Sequence, residues 1–422
     1  MEPVVPWRTS DLVTIREEFV HEAQTGRYPV AALCNAYGIS EKTGHKWLNR
    51  FNKEGRPGLS DRSHAPHETP HKMSSEVRRE ILALREKHPT WGPKKLRAIL
   101  RGRLPELHWP ALSSIGELLR REGCVQRPRR RNSAVGLPID SGLTVPHQPN
   151  DVWTTDFKGE FRLTRREYCY PLTTQDMLSR YLIGTTALSS TASQPVKITF
   201  TRHFEEFGLP LVIRSDNGVP FASASAIGRL SRLSVWWIRL GIRPERIDPG
   251  EPQQNGKHER MHQTLKAEAT RPPSSSLSDQ QLRFDRFRRE YNEERPHESL
   301  NQETPASRYS RSKRVFPSVL PELVYPPHFE IRTVSDSGAV NFRSRRFQLS
   351  TALTNQEVGL EEVEDDIWIV NFGPLILGTL HYPSNTFIDE VRWKPADPPP
   401  EGERVSDSST KTVSEGLPIL PV

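Results

Sequence analysis

The spacing of apolar residues changes character along this chain, and that switch limits its fold more than any single motif. Up to about residue 120 the apolar positions recur three and four apart, as in Val77, Ile81 and Leu84 and then Leu96, Ile99 and Leu100. That is the period of amphipathic helices. From Asp151 alternation takes over. Residues 152–161 read as a strand, 168–175 as its hairpin partner across Leu163-Thr164-Arg165-Arg166, and 181–188 as a third strand. A helix with Val196, Phe200, His203, Phe204 and Phe207 on one face ends at Gly208. After it come a strand to Asp216 and further helices. Beyond residue 324 short alternating segments such as Ala339-Val340-Asn341-Phe342 and Ile367-Trp368-Ile369-Val370 are separated by Gly and charged turns. Such a chain is multidomain: all-α units first, then a mixed α/β sheet covered on both faces, then a small β-barrel.

Within the helical part, Val30 to Tyr37 is followed by Gly38-Ile39-Ser40 and then by Glu41 to Phe51. Gly38 supplies a tight turn and Ser40 an N-cap. Val30, Leu33, Ala36 and Ile39 are expected to face a small core with Trp47, Leu48 and Phe51. This is a helix-turn-helix pattern. It leaves Lys42, His45, Lys46, Asn49 and Arg50 on the polar side of the second helix, where a recognition helix meets the major groove. A second helical unit, read as a winged helix-turn-helix, offers Lys94, Lys95 and Arg97 as a basic face. The run that closes it contributes Arg129, Arg130 and Arg131 as a phosphate-contacting arm. The net charge of +7 is unevenly carried, with the basic excess before residue 150 and an acidic balance after 311. The N-terminal part is therefore the one matched to a polyanion. The composition places domain limits at 1–60, 73–132, 146–312 and 323–392, with the Pro/Ser/Glu-rich stretch 393–422 read as a disordered tail.

Several function classes are excluded. Cys34, Cys124 and Cys169 are far apart with no C-x-x-C pair, so neither a disulfide framework nor a Cys/His zinc site is supported. That usage fits a reducing, cytoplasmic setting. Met1-Glu2-Pro3-Val4-Val5-Pro6 does not read as a signal peptide. The most apolar late stretch is interrupted by Asn371, Gly373 and Pro374 and is no membrane span.

Three acids in three local settings carry the chemistry. Asp156 sits mid-strand in Trp153-Thr154-Thr155-Asp156-Phe157, where an unpaired carboxylate is costly. Asp216 ends a strand and opens the turn Asp216-Asn217-Gly218. Glu259 lies at the start of a helix on which Asn255, Gln263 and Lys266 share its stripe. Carboxylates delivered from two strand ends and a helix can converge on two Mg²⁺ ions, a site for breaking phosphodiesters. Glu251 competes with Glu259, although it sits in a loop between Gly250 and Pro252. Asp176 also competes and reads as a structural acid facing Ser179-Arg180. Lys266 is a candidate phosphate grip. His258 and His262 flank Glu259, but the H-E-x-x-H order of a zinc protease is absent. Arg343, Arg345 and Arg346 offer a further basic spot in the barrel region.

Thr155-Asp156-Phe157, Arg214-Ser215-Asp216-Asn217-Gly218 and Pro252-Gln253-Gln254-Asn255-Gly256-Lys257-His258-Glu259-Arg260 resemble the D-D-E core of bacterial insertion-sequence transposases, within the retroviral integrase superfamily. Tyr291-Asn292-Glu293-Glu294-Arg295-Pro296-His297 is similar to the segment following that core. The resemblance implies a ribonuclease-H-like catalytic core, which the order of strands and helices also fits. It implies Asp156, Asp216 and Glu259 as catalytic metal ligands for two Mg²⁺ ions, with Mn²⁺ as a substitute. It further implies in-line attack on phosphorus by water and then by a DNA 3′-hydroxyl. The expected partners are double-stranded DNA, as element ends and target, and further copies of the chain in a homo-multimer. No membrane and no small-molecule cofactor are expected. Two features depart from retroviral integrases: their N-terminal His/Cys zinc module is absent, and Glu259 lies farther from Asp216 than the retroviral spacing, which Glu251 matches better. The extra length is expected as an insertion around 221–234. The rival readings are a DNA-binding regulator with an inert core and a nuclease that never joins strands.

Overall fold

The computed structural model describes residues 12–62, 73–125, 142–224, 226–248, 254, 256–382, 384 and 386–394, which fall into two compact units meeting in sequence at Ser74 and Ser75. In the first, α1 (Leu12–Gln24), α2 (Val30–Ala36) and α3 (Glu41–Glu54) enclose Phe19, Val20, Leu33, Cys34, Trp47 and Leu59. The turn into α3 passes through Gly38 at φ +65°, a conformation that side chains resist, and Ser40 accepts from the Thr43 amide at 3.3 Å. Val30, Ile39, Leu48 and Phe51 pack at the edge of this core. Ala36 is exposed, and Cys34 takes the inner position instead. Helix α3 approaches closely because it carries Gly44, where any Cβ would collide with the Cys34 sulfur.

The second unit begins with α4 (Ser75–Lys87), α5 (Pro93–Arg103) and α6 (Leu112–Arg121), packed around Ile81, Trp91, Leu96, Leu100 and Ile115. The described residues 73–125 hold no strand, so the wing expected beside these helices is not found there. One side of the bundle docks on the segment that follows the sheet domain. His88 Nδ1 lies 2.7 Å from Glu290, Lys87 reaches Glu294 at 3.3 Å, Lys94 pairs with Glu298, and Lys95 donates to the Pro296 carbonyl.

A mixed sheet follows, made of β1 (Val152–Phe157), β2 (Phe161–Arg162), β3 (Tyr168–Asp176), β4 (Leu182–Leu188), β5 (Val212–Ser215) and β6 (Arg243–Arg246). Its main path runs β2-β3-β1-β5-β6, with β4 joining at β3. Strand β1 is antiparallel to β3 and parallel to β5, which is parallel to β6. Helices α7 (Ser193–Phe207) and α8 (Arg232–Arg239) cover one face, where Trp153, Leu172, Ile183 and Ile213 meet Phe200, Phe204 and Trp237. Helices α9 (Gly256–Ala269) and α10 (Leu277–Arg289) cover the other, where Cys169 and Leu182 meet Met261, Leu265, Phe284 and Phe287. Because both faces are covered, the polar residues Thr154, Thr155, Thr173, Thr174 and Thr185 are buried in the strands along with the apolar ones. After α10, Asn292 pairs through its side-chain amide with both backbone groups of Leu182, and Tyr291 accepts from Gln175 at 3.1 Å.

The C-terminal strands are β7 (Glu330–Thr333), β8 (Ala339–Phe342), β9 (Arg345–Gln348), β10 (Glu357–Glu364), β11 (Ile367–Phe372), β12 (Leu375–His381) and β13 (Thr386–Trp393). The expected closed barrel is not formed. Five strands make an open antiparallel sheet, β13-β12-β11-β10-β7, and β8-β9 is a separate hairpin. Register shifts in the β10–β11, β11–β12 and β12–β13 ladders bend the sheet, yet its outer strands remain unpaired with each other. Sheet and hairpin share a core of Val340, Phe342, Leu360, Trp368, Val370 and Phe372. The stretch expected as an insertion contributes Ile227 and Leu230 to that core, and Val235 and Ile238 of α8 join them there. Among the described residues no helix is long and apolar enough to cross a membrane.

Candidate active site

Alternation along β1 decides where Asp156 points. Trp153 faces α7 and α8, so Thr154 and Asp156 face α9, and Thr154 does bond to His258 of that helix at 2.8 Å. Asp156 lies near the C-terminal end of β1, and Asp216 follows the last residue of the parallel neighbour β5. Carboxyl ends of adjacent parallel strands are where open α/β sheets bind ligands. One Asp216 oxygen accepts from the Gly218 amide at 3.1 Å. A Cβ at position 218 would stand 3.0 Å from its other oxygen, so the glycine keeps room for the carboxylate. Glu259 is in the first turn of α9 and exposed.

These charges act on one another. The Asp156 carboxyl is pushed up to about 7, chiefly by burial, then by the negative charge of Asp216 and, more weakly, of Glu259. The Phe157 amide and Lys158 partly offset this. Lys158 is pulled below the usual lysine range by burial and then by Lys266, which is exposed on the same side as the acids. Hard carboxylate oxygens that repel one another fit a divalent cation such as Mg²⁺, which would relieve the repulsion. Among the described residues, however, no group of three His, Cys, Asp or Glu is drawn together tightly enough to hold an ion. The acids stand as an electrostatically coupled set rather than a closed cage. Glu251, Gln253 and Asn255 lie outside the described residues, so the competition between Glu251 and Glu259 is not decided by position.

The support beneath Asp156 is a polar network that the sequence reading did not anticipate. Thr173, the register partner of Asp156 on β3, donates its hydroxyl to the Asp156 carbonyl at 3.0 Å. It is then free to accept from His258 Nε2 and His262 Nε2, each at 2.7 Å. That arrangement leaves His258 Nδ1 to accept from Thr154, and it turns His262 Nδ1 toward Asp156 at 3.8 Å. Both rings are held neutral by burial, His258 pushed down to about 3 and His262 to about 2. Both rings therefore act as braces between α9 and the sheet. The signal available in the sequence was their spacing of four, which puts both on the inward stripe of α9.

The other candidates are dispersed. Lys42, His45, Lys46 and Asn49 are exposed on α3 and Arg50 is half-buried, with the Lys46 ammonium 4.6 Å and the Arg50 guanidinium 5.1 Å from the Trp47 ring. Lys94 and Lys95 are turned onto the sheet domain rather than away from it, because Glu298 and the Pro296 carbonyl hold them. Arg129, Arg130 and Arg131 lie outside the described residues. Asp176 is a structural acid: Ser179 donates to it through its hydroxyl at 2.5 Å and its amide at 2.8 Å, and the Asn150 amide donates at 2.7 Å. Arg343 stacks over Trp368 at 4.9 Å and over Tyr382 at 5.2 Å.

Comparison with known proteins agrees with this layout. Residues 146–252 and 240–305 match integrase core domain families, 15–67 matches a helix-turn-helix domain, and 43–119 matches a homeodomain-like domain. The uncharacterized 39.2 kDa protein of insertion element IS476 from Xanthomonas euvesicatoria is 27% identical over 245 residues, covering 58% of this chain. The uncharacterized 31.7 kDa protein of insertion element IS407 from Burkholderia multivorans is 27% identical over 194 residues, covering 46% of this chain. The chain spans 66% of the length of each of these relatives. Among solved structures, a simian T-cell lymphotropic virus intasome in complex with a PP2A regulatory subunit aligns with 70% of this chain and 97% of its own, at 17% identity and a TM-score of 0.34.

Proposed function

We propose that this chain, which belongs to the DDE transposases of insertion sequences within the retroviral integrase superfamily, binds the terminal inverted repeats of its element, cleaves the DNA at their ends and joins those ends to target DNA. The observation that carries the reading is the convergence of charge at one end of the sheet. Asp156 and Asp216 lie at adjacent parallel strand ends, and Glu259 on the helix packed beside them is close enough to raise the Asp156 pKa. In this reading Asp156, Asp216 and Glu259 hold two Mg²⁺ ions, or Mn²⁺ in their place. Bound there, such ions supply Lewis-acid stabilisation to the attacking and leaving oxygens of an in-line displacement.

The chain's own residues do the rest. The Thr173, His258 and His262 network fixes the β1 backbone under Asp156, so its carboxylate keeps its position as charge builds at phosphorus. Gly218 leaves the Asp216 carboxylate uncrowded. Lys158 and Lys266 place positive charge beside the acids, where a scissile strand's phosphates would lie. The exposed face of α3, with Lys42, His45, Lys46 and Asn49, enters the major groove and selects the sequence. Two element ends must be joined in one event, so the working form is a homo-multimer on double-stranded DNA.

The test is strand transfer of a labelled element end with Mg²⁺ or Mn²⁺. Asp156→Asn and Glu259→Gln should abolish product while leaving duplex binding intact. Undiminished transfer by Asp156→Asn, or by both Glu259→Gln and Glu251→Gln, would sink the assignment. Loss in Glu251→Gln with full activity in Glu259→Gln would move the third ligand.

A further inference from the structure

A second charged cavity lies on a different flank of α9. Lys257, Arg260 and Thr264 form one stripe of that helix, whereas Glu259, Gln263 and Lys266 form another. The cavity, of about 540 Å³, is lined by Lys95 of α5, Arg180 of the β3–β4 turn, Lys257 and Arg260, and Arg295 and His297 of the segment beyond α10.

Its charges are poorly compensated. Glu268 pairs with Arg295 at 2.6 Å, and Glu298 at the rim is held by Lys94. Lys95 spends a proton on the Pro296 carbonyl. The side chains of Lys257 and Arg260 make no hydrogen bond or ion pair among the described residues. Arg180 Nη1 and His297 Nε2 are both shut off from solvent with no hydrogen-bond partner among the described residues. A buried polar nitrogen left unpaired costs about 1–3 kcal/mol, a cost that a ligand oxygen drawn into the cavity would relieve. Crowding of like charge is visible in Lys95, pushed down to about 8 by burial and then by Arg295. A planar carboxylate offers two oxygens to such a ring of donors. A tetrahedral phosphate offers oxygens in several directions, which suits donors converging from a loop, two helices and a turn.

We propose that this cavity is a phosphate-binding pocket, filled by a DNA backbone phosphate held where α5 meets the catalytic sheet domain. The proposal deepens the DNA-processing reading and rests on it for the source of the phosphate. Occupancy would neutralise the junction and fasten the α4–α6 helices to the catalytic body while DNA is bound.

The experiment uses the full chain and two probes. The first is sodium phosphate against sodium chloride at matched ionic strength, read as melting temperature. The second is a short DNA duplex, read as the salt dependence of binding. Phosphate should raise the melting temperature of the wild type by a few degrees over chloride. Arg180→Gln and the exposed Arg260→Gln should lose that rise, and Arg101→Gln, outside the cavity, should keep it. Each pocket variant should also lower the slope of log K against log salt by about one. A phosphate effect unchanged in a folded Arg260→Gln overturns the pocket. A phosphate effect lost with an unchanged salt slope overturns the backbone assignment and leaves a site for free phosphate. A wild type that binds no duplex refutes the DNA reading, while the phosphate arm still reports on the pocket.

Discussion

Arg214 and Glu245 form a buried ion pair two residues before Asp216, and its removal can be worked out from the contacts. The two residues are register partners on β5 and β6, with side chains 3% and 6% exposed. Arg214 Nε and Nη2 donate to one Glu245 oxygen at 3.1 and 2.9 Å, and Nη2 also donates to the Thr144 carbonyl at 2.7 Å. The other Glu245 oxygen accepts from the Thr144 amide at 3.0 Å and from its hydroxyl. Arg214 Nη1 donates to the Met177 sulfur at 3.3 Å, so each guanidinium nitrogen and both carboxylate oxygens have a partner, which is the condition under which a buried pair is tolerated. Arg214→Met strands a carboxylate and Glu245→Leu strands a guanidinium, and each should cost about 3–5 kcal/mol. The double variant leaves no orphan charge and should cost far less than the sum, giving a coupling energy of about 3 kcal/mol. Urea denaturation followed by tryptophan fluorescence measures all four corners of the cycle, with nine tryptophans as reporters. The double variant should fold yet transfer strands poorly, because the β5 end that presents Asp216 has lost its clamp. Additive single costs, or single costs under about 1 kcal/mol, would refute the reasoning.

Other expectations are open to direct measurement. His203, His258 and His297 are each pushed down to about 3 and His262 to about 2, by burial first in every case. The unfolded chain therefore takes up protons first, and stability should fall as pH drops below about 6.5. Asp156, pushed up to about 7, and Asp176, also raised by burial, oppose this by gaining stability as the pH falls through their raised values. A urea midpoint in EDTA that stays level from pH 7 to 5 would contradict the balance. Thr173→Val should cost about 1–3 kcal/mol by orphaning two imidazole nitrogens, and it should lower turnover more than DNA affinity. Gly218→Ala should cut strand transfer by roughly a hundredfold with little change in melting temperature, since its methyl crowds the Asp216 carboxylate. Gly184→Ala should instead destabilise the fold by about 1–3 kcal/mol, because its Cβ runs into the buried His203 ring; an unchanged urea midpoint would count against that packing.

The sequence disclosed what local chemistry encodes. Period-two alternation set the face of Asp156, Gly38 and Ser40 marked the α2–α3 turn, and Ser179 identified Asp176 as a structural acid. It failed where the deciding partner was remote. The anchoring of α5 could not be read locally because Glu298 and Pro296, which hold Lys94 and Lys95, lie some two hundred residues away in sequence. Thr173 escaped notice because only the β1–β3 register puts it beneath Asp156. The C-terminal alternation was genuine, but alternation reports which side chains point inward and says nothing about whether outer strands meet. Arg180 and His297 were invisible as a pair because an unpaired buried nitrogen is defined by everything around it.

Helix α8 has apolar residues on two sides. Leu233, Trp236 and Trp237 belong to the core beneath the mixed sheet, while Val235 and Ile238 belong to the core of the C-terminal strands. One short helix is thus common property of two cores, and a cut in the connecting chain does not separate them. A fragment ending near residue 320 would bare Ile227, Leu230, Val235 and Ile238 to water and should precipitate, whereas the same fragment with those four made polar should stay in solution. Were the C-terminal strands moved to another chain, residues 226–239 would have to travel with them. A recombination breakpoint placed between the two would be selected against.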